Sequence, residues 1–158
     1  MNKRFKNWKY PEFDERGITK WNWMCQHHKK LKLSKYVDIG AFTYINAKNG
    51  VEIEESVQIG SHCSIYSIST IDNKEGKVII KKNAKIGSHS VIMPGITVGE
   101  NAVVGACSFV NKNIPDNETW GGGACKTHKV EILLNDVQLH LDNFSPFTHY
   151  FHGRGGFQ

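Results

Sequence analysis

The chain has 158 residues, 39% of them hydrophobic and 22% charged, a balance that fits one soluble domain and excludes a disordered tail. Fifteen Gly against four Pro exclude collagen-like sequence, no stretch approaches the ~18 apolar residues that cross a bilayer, and no apolar run follows the charged start, so membrane insertion is not expected and the expected location is the cytoplasm. The net charge of +5 points to an anionic ligand or a lysine-rich solvated surface; with no recognition helix and no interleaved basic and aromatic stripe, nucleic acid is set aside.

In chain order, residues 1–32 come before any repeat. Trp21, Met24, Cys25 and His28 fall at helical i, i+3, i+4, i+7 spacing and are read as a helical cap over the open end of the fold, with Trp21 and Trp23 in a packing role. Basic residues crowd this segment and recur from Lys74 to Lys85 and from Lys126 to Lys129. The cysteines, Cys25, Cys63, Cys107 and Cys125, form no CxxC pair and are read as free thiols, with no metal site.

From Leu33 an aliphatic residue recurs every six positions: Ile39 and Ile45; then Ile53, Ile59, Ile65 and Ile71; then Ile80, Ile86, Ile92, Val98, Val104 and Val110. Two slips of phase, near 47–50 and within 72–78, read as insertions into a continuous array, the second being the short loop Asp72–Lys77. Two residues before each aliphatic the side chain is small or β-branched, Leu31 excepted, and directly after it Gly or Asn stands at seven of thirteen places. A short strand with positions i−2 and i facing inward, followed by Gly or Asn at positive φ, makes one edge and one corner. Three edges per turn give a triangular solenoid over 33–115, and the uniform six-residue period argues against an α-helix or a β-sandwich. By that count Ile45, Ile65, Ile86 and Val104 share one column, with Ser67, Ser88 and Ala106 above one another.

Beyond 115 a loop leads to Lys129, after which Leu133, Val137, Leu141 and Phe144 stand at helical spacing before an aromatic tail from Phe147 to Phe157. His149 and His152 in that tail are read as solvated or stacked and not as metal ligands.

The segment from Val37 to about Lys129 resembles the hexapeptide-repeat acyltransferases. The residues that carry the likeness are Ile86-Gly-Ser-His-Ser-Val-Ile-Met-Pro-Gly95, Val98-Gly-Glu-Asn-Ala-Val-Val-Gly-Ala106 and Val110-Asn-Lys-Asn-Ile-Pro115. The resemblance implies a left-handed parallel β-helix, a homotrimer and acetyl-CoA as co-substrate without a metal, on the pattern of the galactoside, maltose and surface-polysaccharide sugar acetyltransferases (lipopolysaccharide or capsule sugars). Matched residue by residue, it implies that Ser88, Ala106 and Asn111 line the CoA groove, with Ser67 joining them by the column count. Lys112, Lys126 and Lys129 then fall where basic residues meet the CoA phosphates, as lysine suits phosphate. Asn111 stands where Thr is more usual, and Gly123-Ala124 where Val-Pro is expected.

Acyl transfer to a hydroxyl needs a base. In the galactoside acetyltransferase pattern this is the His of a Gly-His-Pro motif, which would fall at Thr70, and no His lies from Tyr66 to Lys85. The array retains His62 and His89 as candidates, each three residues after an inward aliphatic and pointing outward at a corner, with His89 beside Ser88. A neutral amine is already nucleophilic, so the missing motif shifts the expectation toward N-acetylation of a nucleotide-linked amino sugar, with Asp72 and Thr70 contacting it. O-acetylation of a sugar hydroxyl and a non-catalytic interaction scaffold are the alternatives. A γ-type carbonic anhydrase is set aside, because Pro94 and Ser67 stand five residues after His89 and His62, where a second zinc-binding His is needed.

Overall fold

The computed structural model describes residues 7–123 and 126–127. After β1 (Met24–Gln26) the chain coils through β2 (Leu31–Leu33), β3 (Asp38–Ile39) and β4 (Tyr44–Asn46), then β5 (Val51–Ile53), β6 (Gln58–Ile59) and β7 (Ser64–Tyr66). A hairpin of β8 (Ile68–Ser69) and β9 (Lys74–Glu75) interrupts it. Two further coils follow, β10 (Val78–Ile80), β11 (Lys85–Ile86) and β12 (Val91–Ile92), then β13 (Thr97–Val98), β14 (Val103–Val104) and β15 (Phe109–Val110), before β16 (Thr119–Gly121) and β17 (Lys126–Thr127). Every third strand stacks in parallel register, so the coils build three sheets: β1-β4-β7-β12-β15, β2-β5-β10-β13 and β3-β6-β11-β14-β16, the last extended by antiparallel β17.

The core is three aliphatic columns. Cys25, Ile45, Ile65, Ile92 and Val110 are register partners in the first. Leu33, Ile53, Ile80 and Val98 form the second, and Ile39, Ile59, Ile86 and Val104 the third. The small residues two positions earlier are buried beside them, among them Val37, Thr43, Val57, Cys63, Ala84, Ser90 and Ala102. Where these are hydroxylic, each bonds a corner carbonyl: Thr43 donates to Gly60 O at 2.9 Å and Ser90 to Gly105 O at 3.0 Å. Thus the polar atoms inside the prism are satisfied.

Four expectations need correction. Ile71 is 97% exposed, at the tip of the hairpin, so it is not an edge of the prism. Ile71 happens to stand six residues after Ile65, in phase, and counting it as an edge displaces each later residue by one column. Ile86 and Val104 therefore continue the column of Ile59, and Ser67 does not stack with Ser88.

The second correction concerns the corners. Gly40, Gly60, Gly87 and Gly99, directly after the aliphatics, do not have positive φ; that conformation falls two residues later, at Phe42, His62, His89 and Asn101, as it does at Cys107 after Gly105, with φ of 56–62°. Those glycines serve close approach instead. A Cβ on Gly60 would lie 2.5 Å from Ser88 N, and on Gly87 or Gly40 2.4 Å from the next coil's backbone nitrogen.

The third correction is at the N-terminal flank, where described residues 7–32 contain no α-helix but a strap, β1, a 3₁₀ turn at His28–Lys30 and the start of β2. Trp23 and Cys25 alternate inward with period two, a pattern that the helical stripe masks in the sequence, and Trp21 is 42% exposed. The strap pairs Phe13 with Thr19 and Ile18 with Met24 in antiparallel bridges, and Trp8 Nε1 donates to Val37 O at 2.7 Å. The solenoid therefore starts before residue 33.

The fourth lies at the other end, where it also outlasts residue 115: Ile114 bridges to Val98 and Trp120 stacks on Val104. The helix and tail read after Lys129, with His149 and His152, lie outside the described residues.

Candidate functional site

One corner of the prism gathers the residues of greatest chemical interest. The left-handed positions of successive coils bring Phe42, His62, His89 and Cys107 into an exposed ladder, because backbone bonds join His62 N to Ala41 O, His89 N to Ser61 O and Cys107 N to Ser88 O. The His62 and His89 rings are stacked 4.8 Å apart and within 2° of parallel, and Phe42 lies 5.0 Å from His62. Stacking at the coil spacing of ~4.8 Å fixes both rings from the backbone upward. Ser88 precedes His89 and stands one coil below Ala106, so the structure brings Ser88, Ala106, His62 and His89 together.

A groove of about 320 Å³ runs along the adjoining face from Asp38 and Gln58 past Gly60 and Lys85 to Gly87 and Ser88. Its floor is low because the glycines bear no Cβ. Asn111 and Lys112 are exposed at the far end of β15, one prism edge from Ala106. The backbone of Lys126 sits in β17 at the top of the groove's sheet, while its side chain, Cys125 and Lys129 lie outside the described residues.

Ser67 is not on the groove. It is fully buried, its hydroxyl donates to Asn46 O at 2.7 Å and accepts from Asn49 N at 2.9 Å, and its role is to hold the corner at residues 46–50. The cause is the column shift made by the hairpin.

Thr70 and Asp72 are exposed in that hairpin. Hydrogen bonding from Ser69 and pairing with Lys74 at 2.9 Å hold the Asp72 carboxyl down at about 2, so it presents a permanent negative charge. Beside the hairpin, the outer surface of β1, β4 and β7 carries residues that the hexapeptide phase did not single out. Tyr44 and Tyr66 lie 5.8 Å apart, and Tyr44 Oη donates to Gln26 Oε1 at 2.7 Å, with Asn46 adjoining. Burial pushes the Tyr44 phenol up, keeping it a neutral donor. Their signal in the sequence is their place one residue before or after an inward aliphatic, which makes them outward aromatics and amides in register.

Among the described residues, Cys25 and Cys63 are buried free thiols and Cys107 is an exposed one. Burial pushes Cys25 up to about 12 and raises Cys63, so neither is a nucleophile. No group of three or more His, Cys, Asp or Glu among the described residues is arranged to hold a metal, and none of their helices is long and apolar enough to cross a membrane.

Residues 77–112 match the bacterial transferase hexapeptide family of six repeats. The chain is 30% identical over 135 residues to the galactoside O-acetyltransferase of Lactococcus lactis subsp. lactis (strain IL1403), a match over 76% of this chain that spans only 60% of that relative's length. Its fold is similar to that of the hexapeptide-repeat acetyltransferase VCA0836 of Vibrio cholerae O1 biovar eltor, solved with acetyl coenzyme A (TM-score 0.65, 23% identity, 68% of this chain and 63% of that one). It is similar also to a mutant form of AntD, an N-acyltransferase from Bacillus cereus, in complex with dTDP and coenzyme A (TM-score 0.60, 22% identity, 80% and 87%). With its repeat, its three-column core and these similarities, the chain carries hexapeptide repeats over residues 77–112 and has the left-handed parallel β-helix fold of these neighbours.

Proposed function

We propose that the protein transfers an acetyl group from acetyl-CoA to a sugar, with the amino group of a nucleotide-linked amino sugar as the acceptor, in the synthesis of a surface glycan. The observation that carries this reading is the corner where Ser88, Ala106 and the stacked His62–His89 pair meet the glycine-floored groove. CoA lies along that corner and across β15, its phosphates toward Lys112, Lys126 and Lys129. The acceptor lies over Tyr44 and Tyr66, whose rings suit the apolar face of a pyranose, with Gln26, Asn46, Thr70 and Asp72 around it. The amine nitrogen attacks the thioester carbonyl, the C–N bond forms, the C–S bond breaks, and the amine proton passes through solvent or imidazole to the departing CoA sulfur. The reading includes a homotrimer, to which outward Phe109 and Val91 contribute apolar surface, and light scattering tests it.

A sugar hydroxyl is the second reading, favoured by the same histidine pair, since it places an imidazole base at the donor corner. Pre-steady-state turnover with a panel of amino sugars and galactosides, following free CoA thiol, separates the two. With an amine acceptor the rate rises with pH as the substrate loses its proton, and His89→Ala costs little. With a hydroxyl acceptor His89→Ala lowers turnover about 10²- to 10⁴-fold with CoA affinity unchanged. Absence of acetyl-CoA binding to the wild-type chain refutes both and leaves the scaffold.

A further inference from the structure

The basic segments of the sequence, far apart in the chain, converge at a different corner from the histidine ladder. One residue before the register Leu31–Val51–Val78 stand Lys30, Gly50 and Lys77 on successive coils. Lys32 and Lys48 flank them, and together these groups line a concavity of about 400 Å³. Gly50, at φ +94°, leaves a notch: a Cβ built there would meet only the Lys77 side chain, at 3.5 Å.

The cations are organised, not merely near one another. Lys77 is paired with the Glu52 carboxylate, and Lys30 Nζ donates to Lys48 O at 2.8 Å. Four lysines thus line the corner, with the Glu52 carboxylate on Lys77 and within the field of Lys32 and the Glu75 carboxylate on Asn49, and Lys48 makes no ion pair among the described residues. Lys30 and Lys77 are two coil steps apart, roughly 10 Å along the axis, close enough for their flexible four-carbon side chains to converge on one multiply charged anion held at the Gly50 notch. Lysine ammoniums bind phosphate oxygens as point charges without demanding a planar fork.

The same loop is tied to the hairpin. Asn49 Nδ2 donates to Ser67 O at 3.2 Å and to the Glu75 carboxylate at 3.1 Å, so an anion in the notch lies beside the segment that bears Thr70 and Asp72. We propose that the Lys30, Lys32, Lys48 and Lys77 corner around Gly50 binds the diphosphate of a nucleotide-linked sugar acceptor. This rests on the sugar acetyltransferase reading above, and it assigns the diphosphate to a place distinct from that of CoA.

Isothermal titration of the full chain with inorganic pyrophosphate, with uridine and thymidine diphosphates, with a nucleoside diphosphate sugar and with acetyl-CoA tests it. The expected result is that Lys32→Ala/Lys48→Ala weakens the diphosphates about tenfold and flattens their salt dependence, that the double Arg variant restores them, and that acetyl-CoA affinity is unchanged. Unchanged diphosphate affinity in the Ala variant overturns the proposal. So does wild-type protein that binds acetyl-CoA but no diphosphate, a result that leaves the acetyltransferase reading standing. Pyrophosphate bound as tightly as the nucleotide sugar makes the corner a free-anion site and overturns the acceptor assignment. Diphosphate binding that obeys the variants in a protein blind to acetyl-CoA supports the corner and refutes the acetyltransferase reading alone.

Discussion

Ile65 and Ile71 hold equivalent places in the hexapeptide phase, yet the fold separates them completely, the first fully buried and the second 97% exposed. Truncating each to Ala therefore measures the register of the solenoid. Ile65→Ala removes three buried carbons, about 2.4 kcal/mol at ~0.8 kcal/mol each, before any cavity term. Ile45 and Ile92 above and below are aligned on the same column, and rigid strands on both sides limit collapse, so the total falls in the range of about 2–5 kcal/mol typical of such truncations. For a chain of this size that lowers Tm by roughly 4–20 °C. Ile71→Ala stays within about 0.5 kcal/mol of wild type. Urea unfolding followed by far-UV circular dichroism, with Tm from calorimetry, checks both. Equal destabilisation by the two substitutions would mean that residue 71 is an edge after all, and the three columns described above would be wrong.

The close coil approach gives a second test: Gly60→Ala, whose Cβ would sit 2.5 Å from Ser88 N, costs about 1–3 kcal/mol and, on the proposed acetyltransferase reading, weakens acetyl-CoA by displacing Ser88, whereas Gly105→Ala, with nothing nearer than 3.6 Å, is near neutral by the same unfolding assay. Thiol labelling followed by peptide mass spectrometry finds Cys107 modified by iodoacetamide in the native protein and Cys25 and Cys63 only after denaturation; rapid native labelling of Cys25 contradicts its burial. The Asp72 carboxyl, held at about 2 against an ordinary 3.8, contributes to stability above pH ~4 and loses that contribution as pH falls toward 2. Carbon-13 NMR titration of its side-chain carboxyl gives the midpoint, and a value near 3.8 removes the hydrogen bonds assigned to it.

The columns are legible in the sequence because the inward aliphatic is the one residue that all coils need, and a six-residue period survives two insertions. Register is less legible. A hairpin that carries an isoleucine six residues after the last edge looks, in one dimension, like another edge, so Ile71 reads as structural and Ser67 as a groove residue. The glycines of the Ile-Gly-Ser-His stretches are visible, but their purpose is not, since clearance from the next coil is a contact between residues about 20 positions or more apart. Ser88, Ala106 and the two histidines can be picked out from their spacing; the stacking of the imidazoles cannot, because it depends on positive φ at His62 and His89 instead of at Gly60 and Gly87. The aromatic face at Tyr44 and Tyr66 emerges only when successive coils are laid one on another.

The N-terminal strap bears on how the molecule behaves in company. A parallel coil hands its backbone groups to the coils above and below, so the lowest and highest coils of an uncovered prism match each other and invite head-to-tail growth without a closing symmetry. Here the lower end meets the antiparallel bridge of Ile18 to Met24 and the Trp8 indole on Val37 O, and the upper end meets antiparallel β17. A change of strand direction cannot template another parallel coil. Both ends of the described fold thus meet chain running the other way, and deleting residues 7–23 would bare the lower edge of β1 for pairing with a second chain while β17 still closes the upper end.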